Sequence, residues 1–197
     1  MDAVRGRHDD ALKTIERALI ASSSGDRQDR VELRVNQTVP SLAGPALRPD
    51  LQLYNHTKKT VAVVDLAVAF EEQAGEDPDS SALARIAAHK RAKYDRIKRH
   101  LERQGWKVHL SALVYGSLGA VAGGNRSVYT EHLGLLKRDA KRLDWQLSAA
   151  CIQSSRRIWN LHCSQHRARQ HAQRPSQDTR GSRVTETGGT PSRSGRR

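Results

Sequence analysis

Residues 61–68 form one of the most apolar stretches of the chain, and a single carboxylate interrupts it. The run reads Val-Ala-Val-Val-Asp-Leu-Ala-Val, so Asp65 is surrounded in sequence by Val, Ala and Leu. Because the run is otherwise apolar on both faces, it predicts the central strand of a sheet. A carboxylate in such a strand is unfavourable unless it is paired, protonated or bound to a metal. The fold must therefore supply a partner for Asp65.

A second apolar run, residues 51–54, precedes this strand, and the polar residues 55–59 separate the two runs. This arrangement predicts a β-hairpin. Asp50 enters the first strand, and fourteen residues separate it from Asp65. That spacing allows one strand, a turn and most of a second strand, so the two carboxylates can meet at one end of the hairpin. Two carboxylates at one point are typical ligands of a hard cation such as Mg²⁺.

Hydrophobic periodicity predicts helices and strands around the hairpin. Helices are expected over residues 8–22, 82–104, 126–143 and 144–166, and further strands over residues 31–35 and 107–115. Residues 74–81 are expected to form a polar loop. Residues 116–119, Gly-Ser-Leu-Gly, lack the Gly-Lys-Ser/Thr ending of a phosphate-binding loop, so they are interpreted as a strand end and a tight turn.

Two lysines of the predicted 82–104 helix are candidates for the partner of Asp65. At about 100° per residue, Lys90 falls near the middle of the apolar stripe, and Lys93 lies roughly 60° further round, at its edge. A lysine in a packing face can extend its stem until the ammonium reaches water. Alternatively, the ammonium of Lys90 meets the carboxylates at the end of the hairpin. The sequence leaves both interpretations open.

The segment Arg48-Pro49-Asp50, followed after fourteen residues by Asp65, resembles the PD-(D/E)xK nuclease superfamily. More narrowly, it resembles the restriction-like endonuclease domain at the C-terminus of site-specific non-LTR retrotransposon polyproteins. The resemblance covers roughly residues 5 to 165. Three further segments fit this family: Arg7-His8-Asp9 ahead of a first helix, residues 90–94 on the later helix, and residues 105–108 leading into a strand that ends at residues 116–119.

The resemblance implies an α/β fold with a mixed sheet flanked by helices, as in restriction endonucleases. It implies a nuclease core over residues 5–120, and the apolar positions of the two further helices make residues 121–167 a helical extension. Residues 168–197 have almost no apolar side chains, so this basic tail is expected to be disordered. The superfamily motif has its lysine two residues after the second acid, where this chain has Ala67. In the retrotransposon branch the lysine lies on the following helix, where this chain has Lys90 and Lys93.

The implied activity is metal-dependent nicking of double-stranded DNA, which leaves a 3′-hydroxyl that primes reverse transcription of the element's RNA. Asp50 and Asp65 are expected to bind Mg²⁺ or Mn²⁺, and Lys90 or Lys93 to orient the attacking water. The expected nucleic-acid contacts are Arg48, Arg7, His8 and Tyr94. The family also implies a nuclear location and a longer reverse transcriptase polyprotein, of which this chain is the C-terminal piece or a degraded copy.

The charge of the chain agrees with a polyanionic partner. The formal net charge is +13 at pH 7, and the pI is about 10.4. Such a balance favours nucleic acid or an anionic membrane surface. No apolar run has the length of a transmembrane helix.

Two alternative functions remain open: a nucleic-acid-binding remnant without catalysis, and a basic helical structural protein. The spacing of His162, Cys163 and His166 matches no structural zinc pattern.

Overall fold

The structure, a computed structural model, describes residues 2–23, 30–71 and 81–172. These residues form a mixed α/β fold with a four-stranded sheet in the order β1-β2-β3-β4. The elements are α1 (Asp2–Ser23), β1 (Val31–Val35), β2 (Leu51–Asn55), β3 (Thr60–Ala69), α2 (Ala82–Lys93), α3 (Asp95–Arg103), β4 (Lys107–Gly116), α4 (Asn125–Ser127), a π-helical turn (Val128–His132) and α5 (Lys137–Ala172).

The predicted hairpin and the predicted central strand are confirmed. β2 and β3 pair antiparallel around residues 56–59, and β3 also pairs parallel with β4, so β3 lies inside the sheet. β1 pairs antiparallel with β2 at the edge, where every one of its residues is half-buried. The sheet is therefore mixed. Asp65 pairs with Ala112 of β4 on one side and lies one residue beyond the β2 register on the other.

Alternate side chains of β3 pack against helices on opposite faces of the sheet. One face carries Ala62, Val64 and Leu66 in a core that also contains residues of α1 and α5. The other face carries Val61 and Val63, in a core with α3 and with Tyr94. Asp65 continues the second set, since side chains two residues apart on a strand share a face. It therefore lies on the face that packs against α3 and Tyr94, and α2, which ends next to Tyr94, carries both candidate lysines.

Several predicted helix boundaries are wrong. The single helix expected over 82–104 is two helices, which meet at Tyr94; its φ of −100° and ψ of 9° are not helical. The apolar spacing continues across this break and no Gly or Pro marks it, so periodicity could not reveal it. The two predicted C-terminal helices are a short segment ending at His132 and one long helix, α5. Helix α1 begins at Asp2, so Arg7-His8-Asp9 lies within it.

The turn after β4 is held by a carboxylate. Glu71 accepts hydrogen bonds from the backbone N–H groups of Leu118 (2.8 Å) and Ala120 (2.7 Å). A Cβ at Gly116 would overlap the carboxylate of Glu71, and Gly119 has a φ of +103°. A side chain at Gly116 would therefore displace the Glu71 carboxylate, and one at Gly119 would strain the backbone. The prediction of a strand end and tight turn at 116–119 is confirmed, and its amide groups bind an internal carboxylate.

The chain divides into two units, residues 1–162 and 163–197. The described residues of the second unit, 163–172, are the last turns of α5, which include the first residues of the predicted tail. The remainder of that tail and most of the predicted 74–81 loop lie outside the described residues. Within the described ranges, no helix is both long enough and apolar enough to cross a membrane.

Candidate functional site

The hairpin register brings Asp50 and Asp65 to the same place. Leu51 pairs with Val64 across β2 and β3, so one residue further along the same register Asp50 lies opposite Asp65. The backbone N–H of Leu66 donates a hydrogen bond to Oδ2 of Asp50 at 2.7 Å, which ties this carboxylate to the residue next to Asp65. The two acids therefore meet at the open end of the hairpin, as their spacing predicts.

Asp65 has partners that explain its place in an apolar strand. It is only 2% exposed. Tyr94 donates its hydroxyl hydrogen to Oδ1 at 2.5 Å, and the ammonium of Lys90 lies 2.5 Å from Oδ2. The Lys90 contact is an ion pair without hydrogen-bond geometry, because Oδ2 has no hydrogen-bond donor among the described residues. One oxygen is thus fully satisfied and the other is only charge-compensated.

The α2–α3 junction positions both partners of Asp65. Lys90 and Tyr94 are four residues apart, a spacing that places side chains on the same side of a helix. Ser81 caps the start of α2 by accepting a hydrogen bond from the N–H of Ala84 at 3.2 Å. Lys90 then sits in the last turn of α2, and Tyr94 sits at the break before α3. Of the two interpretations of Lys90, the geometry matches the one in which its ammonium meets a carboxylate at the end of the hairpin.

Tyr94 connects the two candidate lysines. Its hydroxyl accepts a hydrogen bond from Nζ of Lys93 at 2.9 Å, while it donates to Asp65. Burial, together with the bond to Asp65, raises the pKa of the tyrosine hydroxyl far above its usual range. Tyr94 is 2% exposed, so the structure places this predicted nucleic-acid contact inside the site. It acts there as a hydrogen-bond donor that holds the Asp65 carboxylate.

His8 of α1 is the partner of Asp50. Its Nε2 lies 3.2 Å from Oδ2 of Asp50, and its Nδ1 lies 3.3 Å from Asp9. The bond to Asp50 raises the pKa of His8 despite the opposing effect of burial. Burial alone would raise the pKa of Asp50, but the bonds from His8 and the Leu66 N–H, with the charge of Lys90, lower it overall. The pair is therefore an ion pair over a defined pH range.

Replacing His8 by Gln is expected to lower stability by about 1 kcal/mol near pH 5.5 and by much less near pH 8.5. The raised pKa of His8 gives stability that is present below its ordinary value of 6.5 and is lost as pH rises through the folded value. The lowered pKa of Asp50 gives stability that is lost as pH falls through a value below 3.8. Urea denaturation of both proteins at several pH values measures the difference, and an equal loss at both pH values would contradict the ion pair.

The two predicted arginine contacts have different surroundings. Arg48 is exposed, and its Nε donates a hydrogen bond to the carbonyl of Asn36 at 2.5 Å. The N–H of Asn36 in turn donates to the carbonyl of Asp50, which places Arg48 near that residue. A groove of about 740 Å³ opens beside it, lined by basic and acidic side chains of α1 together with Asp50. Arg7 points elsewhere: its Nη1 donates to Ser155 of α5 at 2.7 Å. The structure brings Arg48 and His8 to the carboxylates, and leaves Arg7 away from them.

The donor set fits a hard divalent cation. Oδ1 of Asp50 has no hydrogen bond or ion pair within the described residues. Oδ2 of Asp65 is buried without a hydrogen bond, and the ammonium of Lys90, 2.5 Å away, would have to shift for a cation to bind that oxygen. Mg²⁺ is commonly held by one or two carboxylates, with waters and substrate phosphates completing its shell. No group of three or more His, Cys, Asp or Glu side chains suited to a metal occurs within the described ranges. Two carboxylates are enough for Mg²⁺, whereas structural zinc needs four ligands.

Sequence reasoning missed four contributions. The pairing of His8 with Asp50 had no signal, because it depends on how α1 packs on the sheet. The role of Tyr94 as a donor to Asp65 had a signal, since its spacing from Lys90 puts both on one helix side. The Leu66 N–H and the backbone of Asn36, which has a φ of 52°, had none, because they depend on how the chain folds in space.

Neither family models nor curated proteins give a match to this chain. The resemblance to the nuclease superfamily therefore rests on the residues themselves.

Proposed function

We propose that this chain is a metal-dependent DNA endonuclease of the PD-(D/E)xK type, related to the nuclease domain of non-LTR retrotransposon polyproteins. One observation carries the proposal: a lysine from the helix after the hairpin pairs with a buried aspartate, and a second aspartate lies opposite in the strand register. A helix lysine is where the retrotransposon branch has its catalytic lysine. The mixed four-stranded sheet, covered by helices on both faces, agrees with a restriction-endonuclease-like fold.

Asp50 and Asp65 would hold the metal, which as a Lewis acid would polarise the phosphate. The remaining chemistry belongs to the side chains around them. Lys90 would orient the attacking water at its ammonium and offset the negative charge that develops on the phosphate. Tyr94 holds the Asp65 carboxylate in one orientation, and Lys93 bonds to that same hydroxyl. Lys93 therefore supports the site through Tyr94, whereas Lys90 contacts Asp65 directly.

The proposed substrate is the phosphodiester backbone of double-stranded DNA, nicked to leave a 3′-hydroxyl. A formal net charge of +13 favours backbone phosphates, because each contact releases condensed counterions. Arg48 and the protonated form of His8 border the groove beside Asp50 and are placed to contact a phosphate. A nuclear location and an interaction with the element's own RNA follow from the same proposal.

A second candidate function is nucleic-acid binding without catalysis. One observation favours it: both carboxylates already have a cationic partner in the protein, Lys90 for Asp65 and His8 for Asp50. Such pairs can be purely structural, because a buried carboxylate needs compensation in any fold. The two candidates predict the same basic surface and differ only in turnover.

A plasmid nicking assay decides between them. Supercoiled plasmid is incubated with the purified chain in MgCl₂ or MnCl₂, and parallel reactions contain EDTA. The nuclease proposal expects open-circular product only with the metal. Binding without nicking, in the presence of both metals and across several plasmid sequences, would support the second candidate. Nicking that persists in EDTA would contradict the roles given to Asp50 and Asp65.

A further inference from the structure

An exposed apolar groove lies on the α1–α5 side of the protein, apart from the carboxylates. Its volume is about 690 Å³, and it is lined mainly by α1, α5, Phe70 and the turn after β4. It contains half of the exposed large hydrophobic side chains of the described residues, namely Val4, Phe70, Leu118, Ile152 and Trp159. An apolar patch of this kind marks an interaction site more often than a surface left to water.

Two aromatic rings are the most prominent side chains of this groove. Phe70 follows the end of β3 and is 72% exposed, and Trp159 of α5 is 65% exposed. Aromatic rings are scarce in this protein, at 4% of residues, so two of them exposed in one groove are a specific feature. Exposed rings of this type are the platforms on which unpaired bases stack.

The charges around the groove are of one sign. Arg7 and Arg156 line it, and no Asp or Glu side chain does so among the described residues. Arg7 is held by its bond to Ser155, which also lines the groove, and its Nε is buried without a hydrogen-bond partner among the described residues. A second copy of this chain would bring like charge to this face, since each copy carries +13. A polyanion with flat apolar surfaces is the better complement.

The groove adjoins the carboxylate site across the first turns of α1. Val4 and Arg7, three residues apart, face the apolar groove, while Arg5 and His8, also three residues apart, face the groove beside Asp50. A helix with its side chains is about 10 Å wide, so a bound DNA strand would cross about that distance between the two grooves. Neighbouring residues of one helix therefore serve both surfaces.

We propose that this groove binds single-stranded DNA, with bases stacked on Phe70 and Trp159 and phosphates beside Arg7 and Arg156. Within the proposed nuclease, on which this part of the inference rests, the bound segment would be an unpaired strand next to the cut. Stacking tolerates any base, because every base presents an aromatic face. The groove would therefore contribute affinity for unpaired DNA without choosing the target sequence.

Fluorescence anisotropy with a labelled oligodeoxythymidylate of about 20 nucleotides tests this directly, in EDTA so that cleavage plays no part. Phe70→Ala and Trp159→Ala are each expected to weaken binding roughly tenfold, the effect of one lost stacking contact. A duplex of the same length should be affected by less than about twofold. Trp159→Phe keeps a ring and should retain most of the affinity.

Trp145 provides the matched control. It lies fourteen residues, or about four turns, before Trp159 on α5 and is 77% exposed, but it is not part of the groove. Trp145→Ala should leave single-strand affinity unchanged, and circular dichroism should show native folding in all variants. The proposal is overturned if the groove variants bind like the parent, if Trp145→Ala weakens binding equally, or if RNA of the same length binds more than about tenfold tighter than DNA.

Self-association is the remaining outcome that would overturn the proposal. In that outcome, sedimentation of the parent protein shows a dimer that Trp159→Ala abolishes without loss of oligonucleotide affinity. That result would identify the groove as a contact between two copies. The test is independent of the nuclease proposal, because it measures binding alone. If nicking fails while the groove variants lose single-strand affinity, the groove stands and the nuclease does not. If nicking succeeds while the groove variants keep their single-strand affinity, the nuclease stands and the groove does not.

Discussion

Replacing Asp65 by Asn is expected to abolish nicking. Asn keeps the shape and can still accept the Tyr94 hydrogen bond, but it removes the negative charge that faces Lys90 and that would bind the metal. A bound metal contributes several kcal/mol of transition-state stabilisation, and each 1.36 kcal/mol is tenfold in rate, so we expect a loss on the order of 10³ or more. Initial rates of plasmid nicking measure it.

The same substitution should lower stability, which requires a control. It leaves the half-buried ammonium of Lys90 without its counter-charge, a change expected to destabilise the fold by about 1–3 kcal/mol. The double variant Asp65→Asn/Lys90→Met removes both charges and should recover much of that stability, while nicking stays lost. If Asp65→Asn retains nicking within about tenfold of the parent rate, Asp65 is not a metal ligand.

Replacing Lys90 by Met is expected to reduce nicking by a factor on the order of 10² or more, as when a transition-state contact is deleted. Met preserves the length and packing of the stem and removes the ammonium that lies 2.5 Å from Asp65. DNA affinity should fall far less, because one charge is lost from a protein with a net charge of +13. Nicking rates and binding isotherms, measured on the same preparations, separate the two effects.

Lys93→Met is the matched control for this substitution. Lys93 lies three residues away on the same helix, and its ammonium reaches the hydroxyl of Tyr94 instead of the carboxylate. We expect a smaller loss of nicking than in Lys90→Met. A larger loss in Lys93→Met would mean that the catalytic lysine is Lys93. Normal nicking by both variants would reduce the lysines to structural partners and would contradict the proposed mechanism.

The central hairpin could be predicted from sequence because its signals are local. The apolar runs, the polar linker and the fourteen-residue spacing between the aspartates required that Asp50 and Asp65 approach each other once the strands paired. The position of Lys90 within an apolar stripe was also readable, since helical phase depends only on residue spacing. The helix boundaries were less predictable, and the break at Tyr94 carried no residue that disfavours a helix.

The sequence by itself determined the buried carboxylate, the hairpin and a lysine on the packing face of a helix, because these follow from hydrophobic periodicity along the chain. Only the tertiary structure decided which groups meet Asp65 and Asp50. Tyr94, His8 and the Leu66 N–H come from separate elements, and their contacts depend on how α1 and the α2–α3 junction pack on the sheet. Burial and the bond to Asp65 raise the pKa of Tyr94, and the bond to Asp50 raises the pKa of His8. These effects do not act until the helices cover the strands.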